Sequence, residues 1–125
     1  LESELLELLD AAVDGKLEQA QVRWNPEPAI GVVMAAQGYP ASARKNDRIS
    51  GLGEVQASAK VFHAGTSLNE TGDVVTSGGR VLCVVATGAD IRKAQAAAYE
   101  NVEKISWDGA QYRKDIAYRA IARET

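Results

Sequence analysis

Apolar residues Leu1, Leu5, Leu8, Leu9 and Ala12 recur at spacings of three and four, with Glu2, Glu4, Glu7 and Asp10 between them. That period predicts an amphipathic helix whose leucine stripe needs a partner surface, and Gly15 ends it. A second short helical turn is expected over residues 17–21, before Trp24. Pro26 and Pro28 then forbid regular helix and push their preceding residues toward extended backbone, so a strand-rich domain begins near residue 26. Residues 29–36 form a continuous apolar run, which predicts a strand buried on both faces and closed by a turn at Gly38, Tyr39 and Pro40. Shorter strands are expected over 47–51 and 60–66, separated by Gly51-Leu52-Gly53. A polar turn over 69–73 leads to a strand at 74–76 and, across Ser77-Gly78-Gly79, to another at 80–87. Paired glycines permit the positive φ of tight turns, so these last two strands are expected to form a hairpin.

Asp90 precedes a second helical pattern in which Ile91, Ala94, Ala98, Val102 and Ile105 share one face while Arg92, Lys93, Glu100, Glu103 and Lys104 lie largely outside. Trp107-Asp108-Gly109 is the expected stop, and residues 112–124 are expected to hold a short helix beginning near Asp115. Short strands with one long late helix and no βαβ alternation define an α+β class.

At 125 residues and 46% hydrophobic composition the chain supports one core. A net charge of −3 argues against broad attraction to nucleic acid or anionic lipid, so any anion site must be local. Neither a membrane span nor a signal peptide is present by pattern, and the cytoplasm is the expected location. The chain opens at Leu1 already in helical pattern, which is the expectation for a piece of a longer protein. The lone Cys83 excludes an internal disulfide, and its apolar neighbours mark it as a small buried hydrophobe rather than a nucleophile.

Candidate chemistry is sparse. Gly78 and Gly79 beside Arg80 put backbone N–H groups next to a guanidinium, a physically sensible place for a phosphate monoester. By spacing alone, a hairpin turn followed by a surface arginine is the plainer reading. Gly38-Tyr39-Pro40 either sets Tyr39 against a ligand or simply ends the sheet. His63, the single histidine, shares a strand face with Val61 by alternation and is read as a hydrogen-bonded structural residue that lines a pocket at most. Zinc is excluded for want of further ligands. Lys114 and Arg119 read as a solvated basic face, Arg113 stays open, and Asp115 is the expected cap of the last helix. No P-loop or complete nucleotide fingerprint occurs, so neither a catalytic nor a metal-ligating residue is expected on this chain.

In order and spacing, the segments 31–40, 60–66, 76–84 and 112–120 resemble the C-terminal domain of the glycinamide ribonucleotide synthetase (phosphoribosylamine–glycine ligase) family, ATP-grasp enzymes of purine biosynthesis. The resemblance spans nearly the whole chain. It departs from the family pattern at Gln37 and Ala41, which flank Gly38-Tyr39-Pro40 where glycines are usual, and at Ala117, where glycine is general. The resemblance implies a small antiparallel β-rich lobe, a rudimentary single-hybrid motif, over residues 26–125, preceded over 1–25 by the helical end of the ATP-grasp unit. It implies that the full enzyme activates the glycine carboxylate as an acyl phosphate with ATP and magnesium or manganese, whose ligands lie upstream, and that the amine of 5-phosphoribosylamine then attacks. Arg80 with Ser77, Gly78 and Gly79 is implied to face the phosphoribosyl group, and Gly38, Tyr39 and Pro40 to border the cleft. The isolated chain is expected to be inactive. Two rivals stand beside this reading: a non-enzymatic scaffolding module docked through the leucine stripe, and the equivalent lobe of another ATP-grasp ligase.

Overall fold

A computed structural model of the chain describes residues 1–123. Helix α1 (Leu5–Val13) and a 3₁₀ turn (Leu17–Gln19) precede strand β1 (Ala29–Ala35), and a second 3₁₀ turn (Leu52–Glu54) precedes β2 (Ala59–His63). Strands β3 (Thr66–Leu68), β4 (Val74–Thr76) and β5 (Arg80–Thr87) follow, then helix α2 (Ile91–Val102), strand β6 (Gln111–Tyr112) and helix α3 (Tyr118–Arg123). The main sheet has four antiparallel strands in the order β2-β5-β1-β6, while β3 and β4 pair separately. This is the α+β, antiparallel, one-long-helix architecture expected from the chain pattern.

Helix α2 starts where the sequence period predicts it but ends at Val102, short of the expected stop at Trp107-Asp108-Gly109, so Ile105 lies outside the helix. The Asp90 carboxylate accepts the Lys93 N–H at 2.8 Å and so satisfies one of the helix's free donors. Its buried face, Ile91, Ala94, Ala98, Asn101 and Val102, lies against one side of the sheet. Cross-strand register places Ile30 opposite Ala86, Val32 opposite Val84 and Met34 opposite Leu82, and all six side chains are buried there. Ile105 and Trp107 extend the same core beyond the end of the helix.

The other side of the sheet corrects the expectation that β1 is buried on both faces. Burial alternates along β1, leaving Gly31 exposed and Val33 44% exposed, with Phe62 at 54% in the neighbouring register. An apolar run shows which strand can be buried, but the number of layers decides how many faces are, and α2 packs on one face.

Three further expectations change. Segment 47–51 is not a strand: its backbone divides between partners, with Ile49 N–H on Val74 O and Ser50 N–H on Ser106 O, so no continuous ladder forms. Segment 60–66 breaks at Ala64-Gly65, where both N–H groups turn to β5 at Val81 O and Arg80 O, and the chain then leaves the main sheet to start β3. The expected β4–β5 hairpin is absent, because β4 pairs with β3 whereas β5 pairs with β1 and β2. Residues 77–79 instead carry the chain from the small sheet to the large one. The hairpin turn lies at the polar 69–73 segment, where Asn69 Oδ1 accepts from Thr71 N–H and Asp73 N–H at 3.0 and 2.8 Å.

The last helix starts at Tyr118 rather than near Asp115, since Ala117 takes a φ of +72° that no α-helix accommodates and the Asp115 side chain is engaged by Arg113. Glu124 and Thr125, the end of the expected helix and domain, lie outside the described residues. At the other end, α1 has no buried residue and keeps Leu5, Leu6, Leu9 and Val13 exposed. Residues 21–23 fold back on its start through Glu2 N–H to Arg23 O and Arg23 N–H to Ser3 Oγ, each 2.8 Å. Among the described residues no helix is long and apolar enough to cross a membrane.

Candidate functional site

Three strand ends converge beside the open face of the sheet. β1 runs out at Ala35, which pairs with Arg80 at the start of β5 across a register shift and with Gln111 of β6 on its other side. The result is a mainly apolar open groove of about 420 Å³. Val33 and Ala35 of the central strand line it, Arg80 and Tyr39 contribute from the β5 side, and Gln111, Tyr112 and Arg113 from the β6 side.

Its two arginines differ in what they can still bind. Arg113 makes a bidentate pair with Asp115, Nε to Oδ1 at 2.9 Å and Nη2 to Oδ2 at 2.7 Å. The paired Asp115 side chain raises the guanidinium pKa above its ordinary value, and the Arg113 side chain holds the Asp115 carboxyl below its own. Arg80 is exposed, and among the described residues its guanidinium has no hydrogen-bond or ion-pair partner. With a neutralised pair on one wall, Arg80 on the other is the groove-lining cation that has no carboxylate partner among the described residues.

The β6 wall is braced from behind. Tyr99 of α2 donates its hydroxyl proton to Arg113 O at 2.6 Å and accepts the Ile116 N–H at 3.0 Å, while its ring lies 6.3 Å from that of Tyr112. On the β5 wall the Tyr39 ring rests on Gly79: a Cβ built at position 79 would stand 2.5 Å from Tyr39 Cδ2.

Of the residues singled out in the sequence, the fold therefore brings Tyr39, Arg80 and Arg113 to the groove, with Gly79 against the Tyr39 ring. Gly38 and Pro40 do not line the groove; they shape the exposed loop that carries Tyr39, with Gly38 O accepting the Ser42 N–H at 2.9 Å. Ser77 and Gly78 do not line it either. Their N–H groups, read from sequence as free for an anion, both donate to Gly65 O at 2.8 and 3.2 Å because the crossing chain packs onto that bend. His63 is exposed and lies outside the groove, its Nδ1 3.1 Å from Thr66 Oγ1, in keeping with its reading as a hydrogen-bonded residue. Cys83 is half-buried rather than buried, and desolvation pushes its thiol pKa up, against any thiolate role. Sequence reasoning missed Val33, Ala35, Gln111 and Tyr112, since a two-residue strand such as β6 carries no period to detect. A separate hollow of about 450 Å³ between α1 and residues 20–23 is lined by Glu2, Glu4 and Glu7 as well as Arg23, an unfavourable setting for a phosphate.

Among the described residues no three His, Cys, Asp or Glu side chains converge to hold a metal ion.

Comparison with known proteins agrees with this architecture. Residues 29–119 match the family model described as phosphoribosylglycinamide synthetase, C domain. The phosphoribosylamine–glycine ligase of Neisseria meningitidis serogroup A is 56% identical over 123 residues, covering 98% of this chain and 29% of that protein. The ligase of the same name from Vibrio parahaemolyticus is 54% identical over 125 residues, with 99% and 29% covered. A crystal structure of phosphoribosylamine–glycine ligase from Thermotoga maritima superimposes with a TM-score of 0.69 at 32% identity, over 87% of this chain and 27% of that one. The chain thus spans 29% of the length of these curated relatives.

Proposed function

The chain belongs to the phosphoribosylglycinamide synthetase C-domain family, and from that premise we propose that it is the C-terminal lobe of a phosphoribosylamine–glycine ligase, which joins 5-phosphoribosylamine and glycine at the expense of ATP to form glycinamide ribonucleotide in de novo purine biosynthesis. In this reading residues 1–25 end the ATP-grasp unit and residues 26–125 form the lobe. The upstream domains of the same polypeptide hold ATP and its magnesium or manganese, and the enzyme is cytoplasmic. The exposed leucines of α1 then pack against that upstream unit.

The observation that carries the reading is Arg80, a guanidinium with no partner among the described residues, at the edge of an apolar groove beside Tyr39. A phosphate monoester on a sugar matches both parts, the charged end meeting Arg80 and the ring meeting the apolar floor. Ligation of this kind depends on positioning reactants and offsetting phosphate charge, so a wall with no catalytic group of its own still controls the rate.

The test is Arg80→Ala in the complete ligase. The KM for 5-phosphoribosylamine should rise by about tenfold or more while that for ATP stays within about twofold. Equal effects on the two substrates would overturn the assignment. A scaffolding module would also display the open α1 stripe. Mixing this chain with the remaining upstream portion restores glycine ligation if the proposed function holds, and does nothing for a scaffold.

A further inference from the structure

Gly79 is not a turn glycine. Its φ lies outside the left-handed region, and the segment it ends is a crossing between sheets. Alanine therefore fits its backbone without strain. What a side chain at position 79 meets is the Tyr39 ring, with Cδ2 at 2.5 Å and Cε2 at 3.0 Å from the built Cβ, both closer than such contacts normally come.

The two partners differ in how freely they can move. Gly79 is anchored, because its carbonyl accepts the Ala36 N–H at 2.9 Å and the next residue enters the β5 ladder opposite Ala35. Tyr39 sits on the exposed loop that follows β1 and is itself 40% exposed. Any atom added at position 79 is therefore relieved by swinging the Tyr39 ring off the groove wall, at little cost to the folded state.

We propose that Gly79 is a positioning residue that acts through Tyr39: its missing Cβ seats the ring beside Arg80, and so sets the width of the groove where the sugar-phosphate lies. This rests on the proposed function above and adds a substrate-positioning role for a residue pair 40 positions apart in sequence.

A kinetic cycle of Gly79→Ala, Tyr39→Ala and the double variant in the complete ligase tests it. Gly79→Ala should raise the KM for 5-phosphoribosylamine about tenfold with kcat changed less than about twofold, since substrate placement rather than chemistry is disturbed. Tyr39→Ala should do the same, and the double variant should match Tyr39→Ala alone, because no ring is left to displace. Effects that multiply in the double variant would overturn action through Tyr39. So would a Gly79→Ala loss of thermal stability that persists in the Tyr39→Ala background, which would make position 79 structural. If Arg80→Ala raises the KM while Tyr39→Ala and Gly79→Ala do not, the positioning role falls and the groove assignment stands. If Arg80→Ala leaves the KM unchanged as well, the groove assignment falls with it.

Discussion

The fully buried Asn101 side chain joins α2 to the loop ahead of β2, its Oδ1 accepting the Gln56 N–H at 2.8 Å while its Nδ2 donates to Ala97 O at 2.9 Å. A polar amide in the core is tolerated because both of its ends are satisfied, and it fixes where the outer strand β2 begins. Asn101→Ala strips the Gln56 N–H of its partner and leaves a void, so it should destabilise the chain by about 2 kcal/mol. Urea unfolding measures this directly, and a loss below about 0.5 kcal/mol would contradict the role.

Ala117 makes the opposite case. Its φ of +72° lies in the left-handed region, where a Cβ costs about 1–2 kcal/mol and glycine costs nothing. Ala117→Gly relieves that strain but widens the unfolded ensemble, for a net stabilisation of about 0.5–1 kcal/mol. A raised thermal midpoint is the expected reading, and a lowered one would show that the methyl group's packing outweighs the strain.

Gly51 is required by both backbone and space. Its φ is +83°, and a Cβ there would run into Lys104 O just past the end of α2. Neither backbone can retreat without breaking the Ser50–Ser106 bridge, whose N–H···O bonds are 2.8 and 3.1 Å. Gly51→Ala should therefore cost about 3 kcal/mol, or about 10 °C in thermal midpoint. A midpoint unchanged from that of the parent chain would refute the contact.

Stability should fall in acid partly through the α2 cap. The Lys93 backbone N–H holds the Asp90 pKa below the usual carboxylate value, with the Lys93 charge adding to it. The unfolded chain then takes up a proton first as pH drops. The cap's contribution is complete above about pH 4, the unfolded value, and is lost as pH falls through the lower folded one. Asp115 titrates in the same direction because of Arg113. Asp90→Asn, which keeps an acceptor but cannot titrate, should flatten the fall in urea midpoint below about pH 4 without abolishing it. An unchanged slope would remove Asp90 from the acid response.

Much of this molecule is written in short-range signals. The period of Ile91, Ala94, Ala98 and Val102 behind Asp90, the polar 69–73 turn and the apolar runs of β1 and β5 specify local conformation, because φ preference and side-chain periodicity act within a few residues. The same level of reading picked out Tyr39, Gly79 and Arg80 as residues out of the ordinary, while the family resemblance marked Ala117 as a place where glycine is general. It had no means of telling that β4 leaves β5 for β3, that Val33 faces outward, or that Gln111 and Tyr112 complete the groove. Strand partnership, layer number and the seat of one side chain on a distant glycine arise from long-range register and packing. Only the folded chain brings residues 39, 79 and 111 to one place, and contacts across such separations leave no period in the sequence.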